Sequence, residues 1–452
     1  MSENVPGVTD TATALRRCLL VIALALGAGI GATGFAQQEI ACPGSVPAGT
    51  VCQVGIDANG AHWLIAIPKN WNKVLVMHAR GGPELQAVGV KRSVNDLTRW
   101  SVWVREGYAY AASQYRRGGY GALSAAEDTE SLRQLFVAKF GKPRRTIMHG
   151  QSWGGLVGAK VIELYATGEG GARNYDAALL TSGVLAGATR AYNFRFDLRT
   201  VYQFYCRNHP RPDELQYPAW QGLPPGSTLT AAELRARVDE CTGVGLTADK
   251  RSPEQQGRLT AILNVVRIQE RSLHGNMSWA TFFFADLAQQ RTGGRNAFSN
   301  IGVQYTGSPD DAALNAGVAR YSSDPQAVAW LANDSDFTGK VTIPTLTLHA
   351  IGDPTVFVEN QSVYREIRTR AGTQNLLVQT FTDETEHSFL ATPQYPALMQ
   401  ALLDWVDHGK RPSARDIAAQ CEGFRATYGE TCRFQVDYFP PAFDTRVYPR
   451  KP

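Results

Sequence analysis

From residue 73 to residue 185 the chain alternates between short runs that are almost wholly apolar and longer segments whose apolar residues recur every three or four positions. The short runs are Lys73-Val74-Leu75-Val76-Met77-His78, Tyr108-Ala109-Tyr110-Ala111-Ala112-Ser113-Gln114-Tyr115, Thr146-Ile147-Met148 and residues 177–185. Apolarity at successive positions over so few residues predicts strands buried on both faces. Residues 94–106, 125–140 and 156–164 carry the helical period. The second of these has Glu127, Asp128 and Glu130 in its first turns, where a helix dipole favours acids. Strand and helix in alternation predict βαβ units and a mostly parallel, doubly wound sheet with helices on both faces, an α/β architecture. Ahead of it, residues 51–56 and 62–68, parted by Asp57-Ala58-Asn59-Gly60, read as an antiparallel hairpin opening the same sheet.

The alternation stops after residue 185. Residues 186–339 hold predicted helices at 231–241, 258–272 and 279–290, proline-rich turns near 210–225, and clustered aromatics. Strand character returns at 342–349, followed by a helix at 359–371, a strand at 376–381 and a helix at 394–407. Because the chain comes back to finish one sheet, the excursion reads as a largely helical cap inserted after the sixth strand. The expected organisation is a leader (1–36), a first part of the core (37–185), the cap (186–339), a second part of the core (340–408) and a polar, proline-bearing tail (409–452).

Composition changes this picture little. With 19% charged residues and a net charge of +4 over 452 residues, there is no basic block to engage nucleic acid. The N-terminus says more. Arg16-Arg17 precedes an uncharged run from Cys18 to Ala36 that ends in Gly34-Phe35-Ala36, the layout of a secretory signal peptide cleaved after Ala36. The run's glycine-rich second half makes a poor membrane-spanning helix, so no membrane association is expected after cleavage. The arginine pair has nothing beside it to mark a twin-arginine signal. Gly29-Ile30-Gly31-Ala32-Thr33-Gly34 matches a dinucleotide fingerprint but follows no strand and lies in the leader. Of seven cysteines, Cys18 is in the leader; the rest suggest three local pairs, Cys42–Cys52, Cys206–Cys241 and Cys421–Cys432. An even number behind a signal peptide favours disulfides, hence a secreted or periplasmic protein. Neither Cys-x-x-Cys nor His-Glu-x-x-His occurs, so neither a metal nor a cofactor is implied.

The chemistry centres on Gly150-Gln151-Ser152-Trp153-Gly154, which joins a predicted strand to a predicted helix and fits G-x-S-x-G in the setting of a nucleophile elbow. Taken alone it could be an ordinary strand-to-helix turn. A serine hydroxyl needs a base, and the base an orienting acid, in the chain order Ser, acid, His for this architecture. Asp353 leaves a late strand in a Gly-Asp-Pro turn, and His387 sits in the loop after the last strand. Each alone reads as a turn aspartate or a solvated histidine; in order and in the right settings, coincidence is a poor account. The one other late histidine, His408, ends a helix and reads as a partner of its dipole. The oxyanion would take the N–H of Trp153 and one from the loop His78-Ala79-Arg80-Gly81-Gly82-Pro83, with Gly81 and Gly82 both candidates. Arg80 either meets a substrate carboxylate or braces the loop, and bracing is the favoured reading.

With these residues in view, the chain resembles a secreted, bacterial-type α/β-hydrolase of the serine hydrolase superfamily with an inserted helical cap, over roughly residues 50–185 and 340–408. Its loop is similar to the His-Gly-Gly-Pro loop of proline-iminopeptidase-like enzymes, departing from it by Ala79-Arg80 after the histidine. The resemblance implies an α/β-hydrolase fold and acyl transfer through Ser152, His387 and Asp353. Three functions follow: hydrolysis of carboxylic esters, preferred here; exopeptidase action on a short peptide, which would need a cap acid such as Glu233, Asp239 or Glu240 to hold an amine; and a catalytically inactive binding protein, which has no need of an intact triad. Substrate selection is expected from cap aromatics, among them Tyr202, Phe204, Tyr205, Trp220, Trp279 and Phe282-Phe283-Phe284, unless these form the cap's own core. The sequence assigns neither substrate nor oligomeric state.

Overall fold

A computed structural model describes residues 37–450 except 87 and 389; the expected leader lies outside the described residues. The strands are β1 (Gln38–Ile40), β2 (Val51–Ile56), β3 (His62–Ile67), β4 (Val74–Ala79), β5 (Ala109–Ser113), β6 (Arg145–Gln151), β7 (Ala177–Thr181), β8 (Thr345–Ala350) and β9 (Leu377–Thr382). They form one sheet in the order β1-β2-β3-β5-β4-β6-β7-β8-β9. The pairs β1/β2, β2/β3 and β3/β5 are antiparallel and the others parallel. This is the α/β-hydrolase fold, its sheet extended at one edge by β1. That strand is too short for its period to show in the sequence, and with it counted the helical excursion leaves from the seventh strand of the chain.

Alternation along the strands splits the core in two. Leu75, Met77 and Ala79 of β4 face one cluster, and Val74 and Val76 face the other. Helices α1 (Val90–Arg99) and α2 (Ser101–Arg105) cover the second face, α3 (Ala122–Phe140) and α4 (Trp153–Tyr165) the first. The helix expected at 94–106 is broken at Trp100 (φ −102°, ψ 22°). The helix expected from 125 begins at Ala122, because the Asp334 carboxylate accepts from the N–H groups of Ala122 (2.9 Å) and Leu123 (3.2 Å). Its acids therefore serve other ends: Glu130 pairs with Arg133 at 2.6 Å, and burial pushes Asp128 up to about 6.

Between β7 and β8 lie α5 (Ala188–Ala191), α6 (Asn193–Cys206), α7 (Ala231–Thr242), α8 (Pro253–Val266), α9 (Leu273–Ser278), α10 (Phe284–Asp286), α11 (Asp311–Gly317) and α12 (Pro325–Ser335). Two π turns, Trp279–Phe283 and Leu287–Arg291, flank α10. Helix α6 escapes a periodicity search because Asn193 through Tyr202 are all buried, leaving no polar face to mark a period. Helix α8 begins earlier than expected, at a Ser252/Gln255 capping box, and ends at Val266 where Arg267 turns left-handed (φ 60°). The cap is tied to the core by Asp334 and by Asp286, whose carboxylate accepts from the Tyr120 N–H and would collide with any side chain at Gly119.

The last core helices are α13 (Asn360–Arg370) and α14 (Gln394–His408), the tail helices α15 (Ala414–Cys421) and α16 (Arg425–Tyr428). Cys42–Cys52, Cys206–Cys241 and Cys421–Cys432 form disulfides with Cα separations of 5.4, 5.6 and 6.1 Å. The tail is held by more than its disulfide. The Tyr448 hydroxyl meets the carbonyls of Val265 (2.9 Å) and Thr306 (3.0 Å), and Arg450 pairs with buried Asp197 at 2.9 Å. Among the described residues no helix is long and apolar enough to cross a membrane. Because Tyr448 is 7% exposed and buttresses α8, Tyr448→Ala is expected to lower unfolding free energy by about 3 kcal/mol, read from the urea midpoint at unchanged slope.

Candidate active site

Successive connections run from β4 outward to β5 on one side and from β6 outward to β7, β8 and β9 on the other. The carboxyl ends of β4 and β6 are therefore the switch point, where loops part and leave a crevice. Both loops singled out in the sequence end there. Ser152 follows β6 at φ 60°, ψ −124°, a strained conformation for a residue with a Cβ. It is tolerated because its neighbours are bare. A Cβ on Gly150 would lie 2.3 Å from the Gly154 carbonyl oxygen, one on Gly154 would lie 2.1 Å from that of Ala79, and one on Gly155 would lie 2.6 Å from Gly183 Cα. The turn can thus press against the β4 loop and lift the serine above the sheet.

The three residues expected to work together do meet. Ser152 Oγ lies 2.7 Å from His387 Nε2, and His387 Nδ1 lies 2.7 Å from Asp353 Oδ2. A carboxylate at Nδ1 holds the proton there, so Nε2 accepts from the serine. The Asp353 side chain is fully buried, while that of His387 keeps 22% of its exposure, so the chain runs from a protected acid to a reachable imidazole. Asp353 Oδ1 accepts from the N–H groups of Thr355 (2.8 Å) and Val356 (2.9 Å), which fixes the carboxylate's orientation.

Supporting residues were not singled out in the sequence. His349, buried at the end of β8, donates from Nε2 to the Val356 carbonyl (2.8 Å) and accepts at Nδ1 from Gln361 (3.0 Å); its Nε2 lies 3.6 Å from Asp353. Burial lowers its pKa, so it braces the acid loop as a neutral ring. Gln151, the second residue of the elbow motif, sends its side chain to Ser388 Oγ. Ser388 is left-handed (φ 63°), and its carbonyl accepts from Arg99. The elbow thereby grips the histidine loop from below. The signal for Gln151 was present in the motif, but its direction was not.

The β4 loop is equally braced. Arg80 is 2% exposed and donates to the carbonyls of Gly82 (2.5 Å), Gly81 (3.3 Å) and Gln114 (3.3 Å), beside the Tyr115 ring. It curls its own loop into shape, as the bracing reading expects. A Cβ on Gly81 would lie 3.1 Å from Ser152 Cβ, whereas Gly82 (φ +68°) faces open space. Trp153 opens α4, so its N–H has no intrahelical acceptor. Beneath both loops His78 and His149 meet Nδ1 to Nδ1 at 2.9 Å. The Trp103 indole N–H also points at His149 Nδ1 (3.2 Å), so His149 accepts and His78 donates. Burial lowers both, His149 to about 3. Two neutral rings thus lock the ends of β4 and β6 together.

The cap closes over this centre. Gln269 donates to the Gly352 carbonyl at 3.1 Å, and Arg271 pairs with Glu386 at 2.7 Å. Among the cap aromatics, Tyr202 is fully buried with its hydroxyl on Asn208, and Phe284 stacks on Phe298; these two pack the cap itself. Trp279 instead reaches Tyr192 (5.3 Å between centroids), which contacts Tyr120, which contacts Trp153. The cap acids have structural duties: Glu233 caps α7, Asp239 meets His274 and Glu240 pairs with Arg211. A cleft of about 570 Å³ lies behind the histidine loop, beside Arg99, Glu384 and Ser388, and no member of Ser152, Asp353 and His387 lines it.

No family model matches the chain. A curated relative, an o-phthalyl amidase of Xanthobacter agilis, is 20% identical over 85% of this chain and 93% of its own length. Among solved structures, an esterase from Aspergillus oryzae overlaps 80% of this chain and 81% of its own at 14% identity and a TM-score of 0.45. Candida antarctica lipase A overlaps 91% and 87% at 11% identity and a TM-score of 0.44. The rice cell wall degrading esterase LipA from Xanthomonas oryzae overlaps 74% and 83% at 14% identity and a TM-score of 0.35. At such scores the fold is read from strand order and the elbow, not from these overlaps.

Gln151→Leu keeps the volume but cuts the link to Ser388. The expected outcome is a rate of fluorophosphonate labelling at Ser152 lowered about tenfold or more, since misplacing a reacting group by about 1 Å costs up to about 100-fold. An unchanged labelling rate would remove Gln151 from the positioning of His387.

Proposed function

We propose that the protein is a serine hydrolase that cleaves carboxylic esters through an acyl-enzyme. The observation that carries this reading is the unbroken hydrogen-bond chain from the Ser152 hydroxyl through His387 to buried Asp353, at the switch point of the sheet. In acylation Ser152 Oγ attacks the ester carbonyl carbon while His387 Nε2 takes its proton. The N–H groups of Trp153 and Gly81, the glycine pressed against the nucleophile, receive the negative oxygen. Collapse of the tetrahedral adduct breaks the bond to the alcohol, which leaves with the proton from Nε2. Water then repeats the sequence on the acyl-enzyme, giving the acid and restoring Ser152. Asp353 holds the imidazole in one tautomer and offsets its charge when protonated.

The fold's disulfides require an oxidising compartment, which supports the secreted or periplasmic location expected from residues 1–36. The second reading is hydrolysis of amides, favoured by the name of the Xanthobacter agilis relative. The same residues serve it, with His387 protonating a leaving amine. The exopeptidase reading has less support, since Glu233, Asp239 and Glu240 are engaged within the cap. A binding protein would have no reason to keep the hydrogen-bonded triad.

Labelling with a fluorophosphonate followed by turnover of aryl esters and matched anilides tests the proposal. Wild type is expected to label and to turn over esters faster than anilides. Ser152→Ala should not label, and both it and Asp353→Asn should lose about 10⁴-fold or more in kcat. Absence of labelling in folded wild type would overturn the hydrolase reading, and preference for anilides would put amides first.

A further inference from the structure

Arg195, in the first turn of α6, lies against the loop that bears Asp353. It is 4% exposed. Its guanidinium packs against the rings of Phe194 (4.6 Å), Trp279 (4.8 Å) and Tyr192 (5.3 Å). Nε donates to Asn276 Oδ1 at 3.1 Å, and Nη2 donates to the Thr355 carbonyl at 3.2 Å, two residues past the triad acid. Nη1 has no protein acceptor among the described residues, nor is it among the fully buried nitrogens that lack one. It is therefore the corner of the guanidinium left for something else.

The charge is also uncompensated. Buried Arg133 is paired with Glu130, whereas buried Arg80, Arg199 and Arg368, like Arg195, have no carboxylate partner among the described residues; Arg195 differs from these three in lying against the loop that bears Asp353. Arg195 forms no ion pair among the described residues. Asp353, which already serves His387, is a carboxylate whose charge favours the Arg195 cation, and burial pulls the guanidinium down to about 10, leaving it charged at neutral pH. Burying an unpaired cation is costly, and a plain packing role would be met by a neutral side chain of similar size. The wall beside it is aromatic and continuous from Trp279 through Tyr192 and Tyr120 to Trp153, the residue proposed as an oxyanion donor. The π turn that carries Trp279 is a feature that recurs at functional sites.

Resting on the hydrolase reading above, we propose that Arg195 is a specificity residue: the favoured substrate carries a carboxylate near its scissile bond, and the Arg195 guanidinium receives it while the Tyr192 and Trp279 rings flank the adjoining carbons. The carboxylate accepts hydrogen bonds from the free edge of the guanidinium and supplies the charge that the protein leaves out. The arginine touches no reacting atom. It selects and orients.

The test compares matched substrates that differ only in charge. One pair is the p-nitrophenyl half ester of glutarate and its methyl-blocked counterpart, with the carboxylate in the acyl part. The other is carboxyphenyl acetate and its methyl ester, with the carboxylate in the leaving group. Wild type should prefer the anionic member of at least one pair by about 10- to 100-fold in kcat/KM, the size expected of hydrogen bonds to a charged group. Arg195→Met should bring that ratio near one, chiefly through a raised KM for the anionic member. Arg195→Lys, which keeps the charge, should retain part of the preference and covers the case in which the methionine variant does not fold. No preference in either pair would overturn the proposal, as would a ratio that survives in Arg195→Met. Equal losses on charged and neutral members would also overturn it, reducing Arg195 to a brace for the acid loop. A binding arm separates this failure from failure of the hydrolase reading. Quenching of tryptophan fluorescence in Ser152→Ala by glutarate, but not by dimethyl glutarate, and its loss in Ser152→Ala/Arg195→Met, supports the site whether or not wild type turns over any ester; no difference between the two titrants overturns it.

Discussion

The structure depends on one close approach, that of the elbow helix to the loop after β4. Gly154 sits so near the carbonyls of Ala79 and Arg80 that no Cβ fits between them. On the other side Gly155 meets Gly183, where the chain leaves β7. These contacts hold Ser152 in a conformation that its own side chain disfavours. Parallel pairing of β4 with β6 sets the distance, and the neutral His78–His149 contact keeps the strand ends from sliding. Strain at Ser152 is thereby supported by the paired ends of β4 and β6.

Around that point the protein places polar groups whose work is to hold others still. Gln151 reaches the histidine loop, Arg99 holds the same loop by its backbone, and His349 with Gln361 steadies the acid loop. None of these contacts joins neighbours in sequence, and together they tie the three loops that bear Ser152, His387 and Asp353. The cap adds attachments of its own: Asp286 and Asp334 grip the start of α3, and Gln269 and Arg195 grip the acid loop. The cap is therefore anchored on both sides of the centre.

Much of this was legible in the order of residues because strong local rules produced it. Strands buried on both faces leave unbroken apolar runs, and β4, β6, β7 and β8 were found that way. A serine flanked by glycines at a strand end, with an acid and a histidine after later strands, is a pattern that chain order preserves. Pairing each cysteine with its neighbour in sequence, the spacing's suggestion among fifteen connectivities, matches the three disulfides of the structure. Legibility failed where burial erased periodicity, as along α6, where a strand was too short to show a period, as at β1, and where a distant residue did the capping. The start of α3 is set by Asp334, more than two hundred residues away, and no local propensity records such a partner.

The sequence by itself determined the fold class and the elbow motif, and it pointed to Ser152, Asp353 and His387 and to three local cysteine pairs, because each leaves a mark in spacing or in a conformation that few residue types can adopt. Tertiary structure alone decided which glycine presses on Ser152, that Arg80 spends its hydrogen bonds on its own loop, that the tail clasps the cap through Tyr448, and that Arg195 meets the loop of Asp353. These depend on where side chains point after distant segments meet, and direction in space is not written in the order of residues.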